Sequence, residues 1–201
     1  MALVKYNNNS ISSITTAGQL ASGSLVPISE QTASGSPSIE FTTGIDSTYP
    51  IYKFEFIDIH AQTDNVNFQV NFRDGGSLYD SVKTTTIFRT YHSEADIEAG
   101  LDYESREDLA QSTASQVLGR NIGADNDQST SGTLQIFSPS STTFVKHFIA
   151  SSSLSNNGNY QLTHYVAGYC NTTSAIDGIQ FTMSYGNIDS GTIKLYGIKD
   201  S

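Results

Sequence analysis

Hydrophobic residues recur at every second position over several stretches of this chain, the period of a strand with one buried and one wet face. In VNFQVNFR, Val66, Phe68, Val70 and Phe72 alternate with Asn67, Gln69, Asn71 and Arg73. In YPIYKFEFIDIH, residues 49–60, Tyr52, Phe54 and Phe56 share one parity while Ile57 and Ile59 take the other. The pattern predicts one long strand that changes face near Phe56, through a β-bulge or by crossing between sheets. Further strands are predicted at SIEFTT (38–43), TTTIFRTYH (84–92), GTLQIF (132–137), TTFVKHFIA (142–150), NYQLTHYVAGYCN (159–171), AIDGIQFTMSY (175–185) and GTIKLYGI (191–198). The connectors AQTDN, DGGS, SPSS, SLSNNG, NTTS and GNIDS are rich in turn formers. Strands at this spacing without a βαβ alternation predict an all-β fold, a jelly-roll-like antiparallel β-sandwich.

Two zones depart from this rhythm. Residues 1–38 are dominated by Ser, Thr, Asn and Gly, too poor in apolar side chains to offset their own ordering entropy. They read as a polar N-terminal arm that docks on another subunit, or as a loose tail leading into a first strand around Leu25 to Ile28. The sandwich domain then spans 39–201. Within it, residues 93–130 crowd Glu94, Asp96, Glu98, Asp102, Glu104, Glu107 and Asp108 around Arg106. This predicts a long surface excursion with a short helix near Glu94 to Gly100 and a polar loop over 119–130, and long loops in compact domains tend to make contacts.

Charge narrows the partners. Ten basic against twenty acidic residues give a formal charge of −10, which argues against nucleic acid as a partner. The single cysteine, Cys170, excludes an intramolecular disulfide framework and reads as a small buried hydrophobe. MALVKYNNNS lacks the apolar stretch of a signal peptide and no run reaches membrane-spanning length. The expectation is synthesis in a host cytoplasm without membrane insertion.

No catalytic pattern emerges. His60, His92, His147 and His164 are scattered, without metal-ligand spacing, and those within strands are expected to be hydrogen-bonded structural histidines. No GxSxG elbow is present. Glu55 and Asp58 have opposite parity and face apart on a regular strand, unlike the paired carboxylates of glycoside cleavage. The loop carboxylates Asp125 and Asp127 are the candidates for calcium, although their spacing matches no EF-hand loop; no cofactor is otherwise expected. Eleven tyrosines with no tryptophan exceed what a core requires, and Tyr79, Tyr91, Tyr103, Tyr160, Tyr165 and Tyr185 are candidates for an interface or a sugar-stacking surface.

The segments MALVKYNNNSIS, STYPIYKFEFIDIH, TDNVNFQVNFRDGG, DLAQST, SGTLQIFSPSSTTFVKHF, VAGYCNTTSAIDGIQF and YGNIDSGTIKLYGI together span nearly the whole chain. In them the chain resembles small structural proteins of the virions of tailed bacteriophages, especially those of marine bacteria. The resemblance implies a non-enzymatic virion component and carries no catalytic residues with it. The expected role is an oligomeric head decoration or cement protein on the particle exterior, a trimer by analogy, touching major capsid or tail proteins. The alternative is a tail- or fibre-associated receptor-binding module recognising host surface glycan.

Overall fold

A computed structural model describes residues 25–199, and every regular element among them is a strand. The strands are β1 (Leu25–Ser36), β2 (Ile39–Phe41), β3 (Ile51–Ala61), β4 (Val66–Arg73), β5 (Lys83–Ser93), β6 (Ala99–Tyr103), β7 (Gln116–Ile122), β8 (Thr130–Phe137), β9 (Lys146–Ser155), β10 (Tyr160–Cys170), β11 (Gly178–Met183) and β12 (Ile188–Ile198). They form an eight-stranded sheet in the order β1-β12-β3-β8-β9-β10-β5-β6 and a four-stranded sheet in the order β2-β11-β4-β7. All pairings are antiparallel. The fold is an all-β sandwich.

Eight of these strands are shared equally between the sheets: β1, β3, β8 and β12 lie in the large one, and β2, β4, β7 and β11 in the small one. The remaining four, β5, β6, β9 and β10, extend the large sheet beyond β8. The alternating apolar positions of β3, β4, β11 and β12 meet in the core. There Phe181 contacts Phe41, Phe54 and Phe68 with ring centroids 6.4, 5.6 and 5.8 Å away. Phe56 packs edge-on against Phe68 at 5.3 Å, and Phe72 meets Phe148 at 4.8 Å.

The change of face in β3 is a bulge. Pairing with β8 slips between Phe56 and Ile59, and Asp58 adopts φ 50°. Phe56 and Ile59 are both buried and Ile57 is turned outward. Strand β12 slips at the same level, between Ser190 and Thr192, through Gly191 at φ 117°. A Cβ there would stand 2.7 Å from the Asp58 carbonyl oxygen, so glycine lets the two irregular strands lie together.

The polar N-terminal zone proves to be ordered sheet from residue 25 onward. Leu25–Ser36 pairs with the whole of β12 and buries only Ala33, as an edge strand with few apolar residues can. The docking-arm reading of residues 1–24 lies outside the described residues. The excursion is corrected more heavily: residues 93–130 contain β6, β7 and the start of β8. No helix forms at 94–100. Ser93 Oγ does accept the N–H groups of Ile97 and Glu98, both at 3.1 Å, as a helix cap would. Asp96 then turns left-handed at φ 55° and the chain reverses into β6, so turn geometry prevails over the helix start. Ser153 and Ser155, expected in the connector SLSNNG, extend β9 along β10.

The inner face of the added strands is unusually polar. Lys83 on β5, Cys170 on β10 and Lys146 on β9 stand opposite one another in register, and all three are fully buried. Burial lowers the basicity of both lysines, Lys83 to about 8, and pushes the Cys170 thiol up to about 11. Cys170 is thus the buried residue expected. His164, also fully buried, departs from the expectation: neither ring nitrogen has a hydrogen-bond partner. Its cross-strand neighbour is Arg89, which joins Glu104 and Arg120 in an ion network where Glu104 lies 2.5 Å from Arg89 Nε and 2.8 Å from Arg120 Nη1. Desolvation, reinforced by those two cations, holds His164 down to about 4.

Candidate functional site

The added strands β9, β10, β5 and β6 turn one face to the network just described and the other to solvent. Strand parity decides which side chains go outward. On β5 these are Thr84, Thr86, Phe88, Thr90 and His92; on β10 they include Tyr165, Ala167 and Tyr169. Register then brings them into rows. Ser151, Tyr165, Phe88 and Tyr103 form one row across all four strands, and Ile149, Ala167 and Thr86 form the next.

In the first row the Phe88 and Tyr165 rings stack 4.9 Å apart at 19°. Phe88, Tyr103, Tyr165, Leu101 and Ile149 are all exposed, a concentration of apolar area rarely left bare on a soluble surface. The second row makes a depression of about 450 Å³, because Ala167 is short while Ile149, Tyr169 and His147 rise around it. The His147 and Tyr169 rings are 5.9 Å apart. Tyr103 donates from its hydroxyl to Asp108 Oδ2 at 2.7 Å, and that bond raises the phenol above its usual range. The face therefore offers aromatic and aliphatic area framed by hydroxyls, and no charged side chain stands within its two rows.

Two of the sequence-predicted tyrosines, Tyr103 and Tyr165, thus share this face, joined by Phe88. Tyr91 and Tyr160 meet elsewhere, on the inner side at the end of β5 and β10, with rings 6.3 Å apart. Arg89, Glu98, Asn156 and Leu162 complete a cavity of about 230 Å³ around them. Tyr160 donates to Glu98 Oε2 at 2.8 Å, which raises its pKa, and the Arg89 guanidinium lies 5.1 Å over the Tyr91 ring. This corner is held by its own hydrogen bond and cation–π contact.

Tyr79 lies by the small sheet, donating to Glu40 Oε2 at 3.1 Å beneath the Arg73 guanidinium. The hydrogen bond from Gln180, with those from Ser38 and Tyr79, lowers the Glu40 pKa. Tyr185 is exposed before β12, apart from the other five.

Asp125 and Asp127 are exposed on the β7–β8 connection. The Asp125 carbonyl faces His60 Nε2 at 3.2 Å, and His60 Nδ1 lies 3.4 Å from Asp189 Oδ2. Asp58, His60, Asn126, Ser129, Asp189 and Ser190 line a cavity of about 340 Å³ there. Among the described residues, no group of three or more His, Cys, Asp or Glu side chains is placed to hold a metal ion. Glu55 pairs with Lys53 at 2.7 Å and Asp58 accepts from Ser131 at 3.3 Å, so each carboxylate has its own partner. No helix among the described residues is long and apolar enough to cross a membrane.

Sequence reasoning missed Phe88, Leu101, Ile149 and Ala167 as members of the face. The signal was present for Phe88, which shares its parity with Thr86, Thr90 and His92: one aromatic among polar outward positions. Leu101 was hidden because β6 was read as excursion. Searched against models of known protein families the chain matches none, and no curated protein sequence matches it significantly.

Proposed function

We propose that this protein is a non-enzymatic structural component of a tailed-bacteriophage virion, an oligomeric decoration or cement protein on the head exterior. Its copies associate through the outer face of β9, β10, β5 and β6. The observation that carries this reading is the exposed row Tyr165, Phe88 and Tyr103 beside Ile149 and Leu101. Aromatic residues concentrated in one patch give large contact area at low entropic cost, the usual composition of an interface centre. The sequence resemblance supports the virion setting, and a trimer is the working symmetry by analogy.

We also read the eight strands of β1-β12-β3-β8 and β2-β11-β4-β7 as a jelly roll whose larger sheet has been widened by four. The order β1-β12-β3-β8 over β2-β11-β4-β7 supports that reading. The neighbours on the particle are major capsid or tail proteins, and the protein reaches the virion from the host cytoplasm.

A second reading, a tail- or fibre-associated module that binds host surface glycan, has one specific observation in its favour. The near-parallel Phe88 and Tyr165 rings lie among the hydroxyls of Ser151, Thr86 and Thr90, a surface on which a sugar ring could stack. Calcium at Asp125 and Asp127 belongs to this reading only.

Sedimentation velocity of the full chain and copy number per purified virion test the two together. Self-association plus a count scaling with the capsid shell is expected. A monomer present at the low copy number of a tail would overturn the decoration reading and put glycan binding first.

A further inference from the structure

A lysine with no exposed surface normally faces a carboxylate, because an isolated ammonium is costly to bury. Lys83 instead donates from Nζ to two neutral oxygens, Asn71 Oδ1 at 2.6 Å and the Ser81 carbonyl at 2.7 Å. Asn71 is itself buried, and every polar atom of its amide is engaged. Oδ1 also accepts the Phe72 N–H at 2.9 Å, while Nδ2 donates to the Thr113 carbonyl at 3.0 Å and to Ser115 Oγ at 3.4 Å. The amide is thus held with its oxygen between two donors and its nitrogen turned to a hydroxyl. A primary amine and a carboxamide are fixed in contact, away from water.

We propose that Lys83 and Asn71 condense within the folded chain to a side-chain amide cross-link, with release of ammonia. The free pair of Nζ adds to Asn71 Cγ, and the carbonyl electron pair moves onto Oδ1, where the Phe72 N–H steadies the developing charge. The C–Nδ2 bond then breaks as Nζ gives up a proton and Nδ2 takes one, so that the leaving group departs as ammonia. One C–N bond forms and one breaks. No oxidant or other reagent enters the balance.

Three features support the step besides contact. Holding amine and amide together removes the entropic part of the barrier that the same reaction meets in solution. Burial favours the uncharged amine of Lys83, which at its lowered pKa makes up roughly a tenth of molecules at neutral pH. Lys146 offers the contrast: equally buried, it donates to the main-chain carbonyl of Thr172 at 3.0 Å. A peptide carbonyl there cannot be displaced without cutting the chain, so the reaction is assigned to Lys83 alone. Because Asn71 lies on β4 and Lys83 on β5, the bond would weld the small sheet to the large one, whatever the protein's role.

The test is the intact mass of the purified full chain under denaturing conditions, followed by a tryptic map. The expected mass is that of the sequence less one ammonia. The map should contain residues 54–73 joined to 74–89 as one branched peptide, uncut after Lys83. A chain of unreduced mass, yielding peptide 74–83 with a free lysine, overturns the proposal, as does an ammonia deficit that maps to Asn157–Gly158. Asn71→Asp can reach the same product by losing water, and should match the wild-type mass. Asn71→Ala cannot react, and should keep the full mass of its sequence.

Discussion

The rings of Phe88 and Tyr165, cross-strand partners on β5 and β10, stack 4.9 Å apart on the solvent side of the large sheet. Each remains two-fifths exposed or more, so the pair lacks about two-fifths of the burial that aromatic side chains obtain in a core. If copies of the chain complete that burial, replacing both rings should separate association from folding. For Phe88→Ser with Tyr165→Ser the expected loss of stability is about 1 kcal/mol, the scale of an exposed aromatic pair. Sedimentation should shift to the monomer. An unchanged oligomer would exclude this face as the contact.

Phe181 predicts the opposite balance. It is fully buried and touches Phe41, Phe54 and Phe68 from the small sheet and the large one. Phe181→Ala should cost about 3–5 kcal/mol by removing transfer energy and leaving a cavity. The same range is expected for Phe56→Ala, since Phe56 is buried against Phe68. Chemical denaturation measures both, and a near-neutral result at Phe56 would contradict the strand phase on which the fold was read.

How far was this legible beforehand? Strict alternation in β4 and the aromatic run of β3 announced the sandwich, and Phe56 marked the bulge to within two residues. Strand β7 was not legible. Its pairing with β4 slips twice, and Asn121 is left-handed at φ 53°, so Val117, Leu118 and Ile122 are buried without a period of two. The seven carboxylates of 94–108 suggested a solvated surface, yet Glu104 is buried between two arginines that lie 15 and 16 residues away in opposite directions. Such pairings depend on tertiary placement and leave no local spacing. For the candidate face, residue type pointed to Tyr103 and Tyr165, while their adjacency required the strand register.

The paired irregularities of β3 and β12 give a third prediction. Gly191 combines φ 117° with a site where a methyl would approach the Asp58 carbonyl oxygen at 2.7 Å and Ile59 Cα at 2.8 Å. Gly191→Ala should therefore destabilise by about 3 kcal/mol, from backbone strain and overpacking together. Gly35 has φ 61° with open space around it, and Gly35→Ala should cost about 1 kcal/mol. Thermal unfolding of the two variants side by side checks the difference.

His164 supplies a pH dependence. With its folded pKa about 4 against an ordinary 6.5, the unfolded chain takes up the proton first as pH falls. Unfolding is then favoured by acid: stability is full above pH 6.5 and declines through the window down to 4, by roughly 3 kcal/mol in all. The groups that face it are the cations Arg89 and Arg120, and protonation would add a third positive charge beside them. His164→Leu removes the proton site and should flatten this limb in urea melts between pH 4 and 7. An equally steep limb in the variant would assign the acid sensitivity to other groups.

The exposed aromatic face stands wholly on β5, β6, β9 and β10, and the other eight strands contribute none of it. The inner positions of β5, β9 and β10, among them Ile87, Phe148 and Val166, join the core, so on the proposed reading folding and recognition occupy opposite faces of the same strands. If that face makes the contacts proposed, substitutions on its outward positions would redirect them while leaving the phenylalanine core intact. A scaffold divided in this way can change partners at little risk to its own integrity.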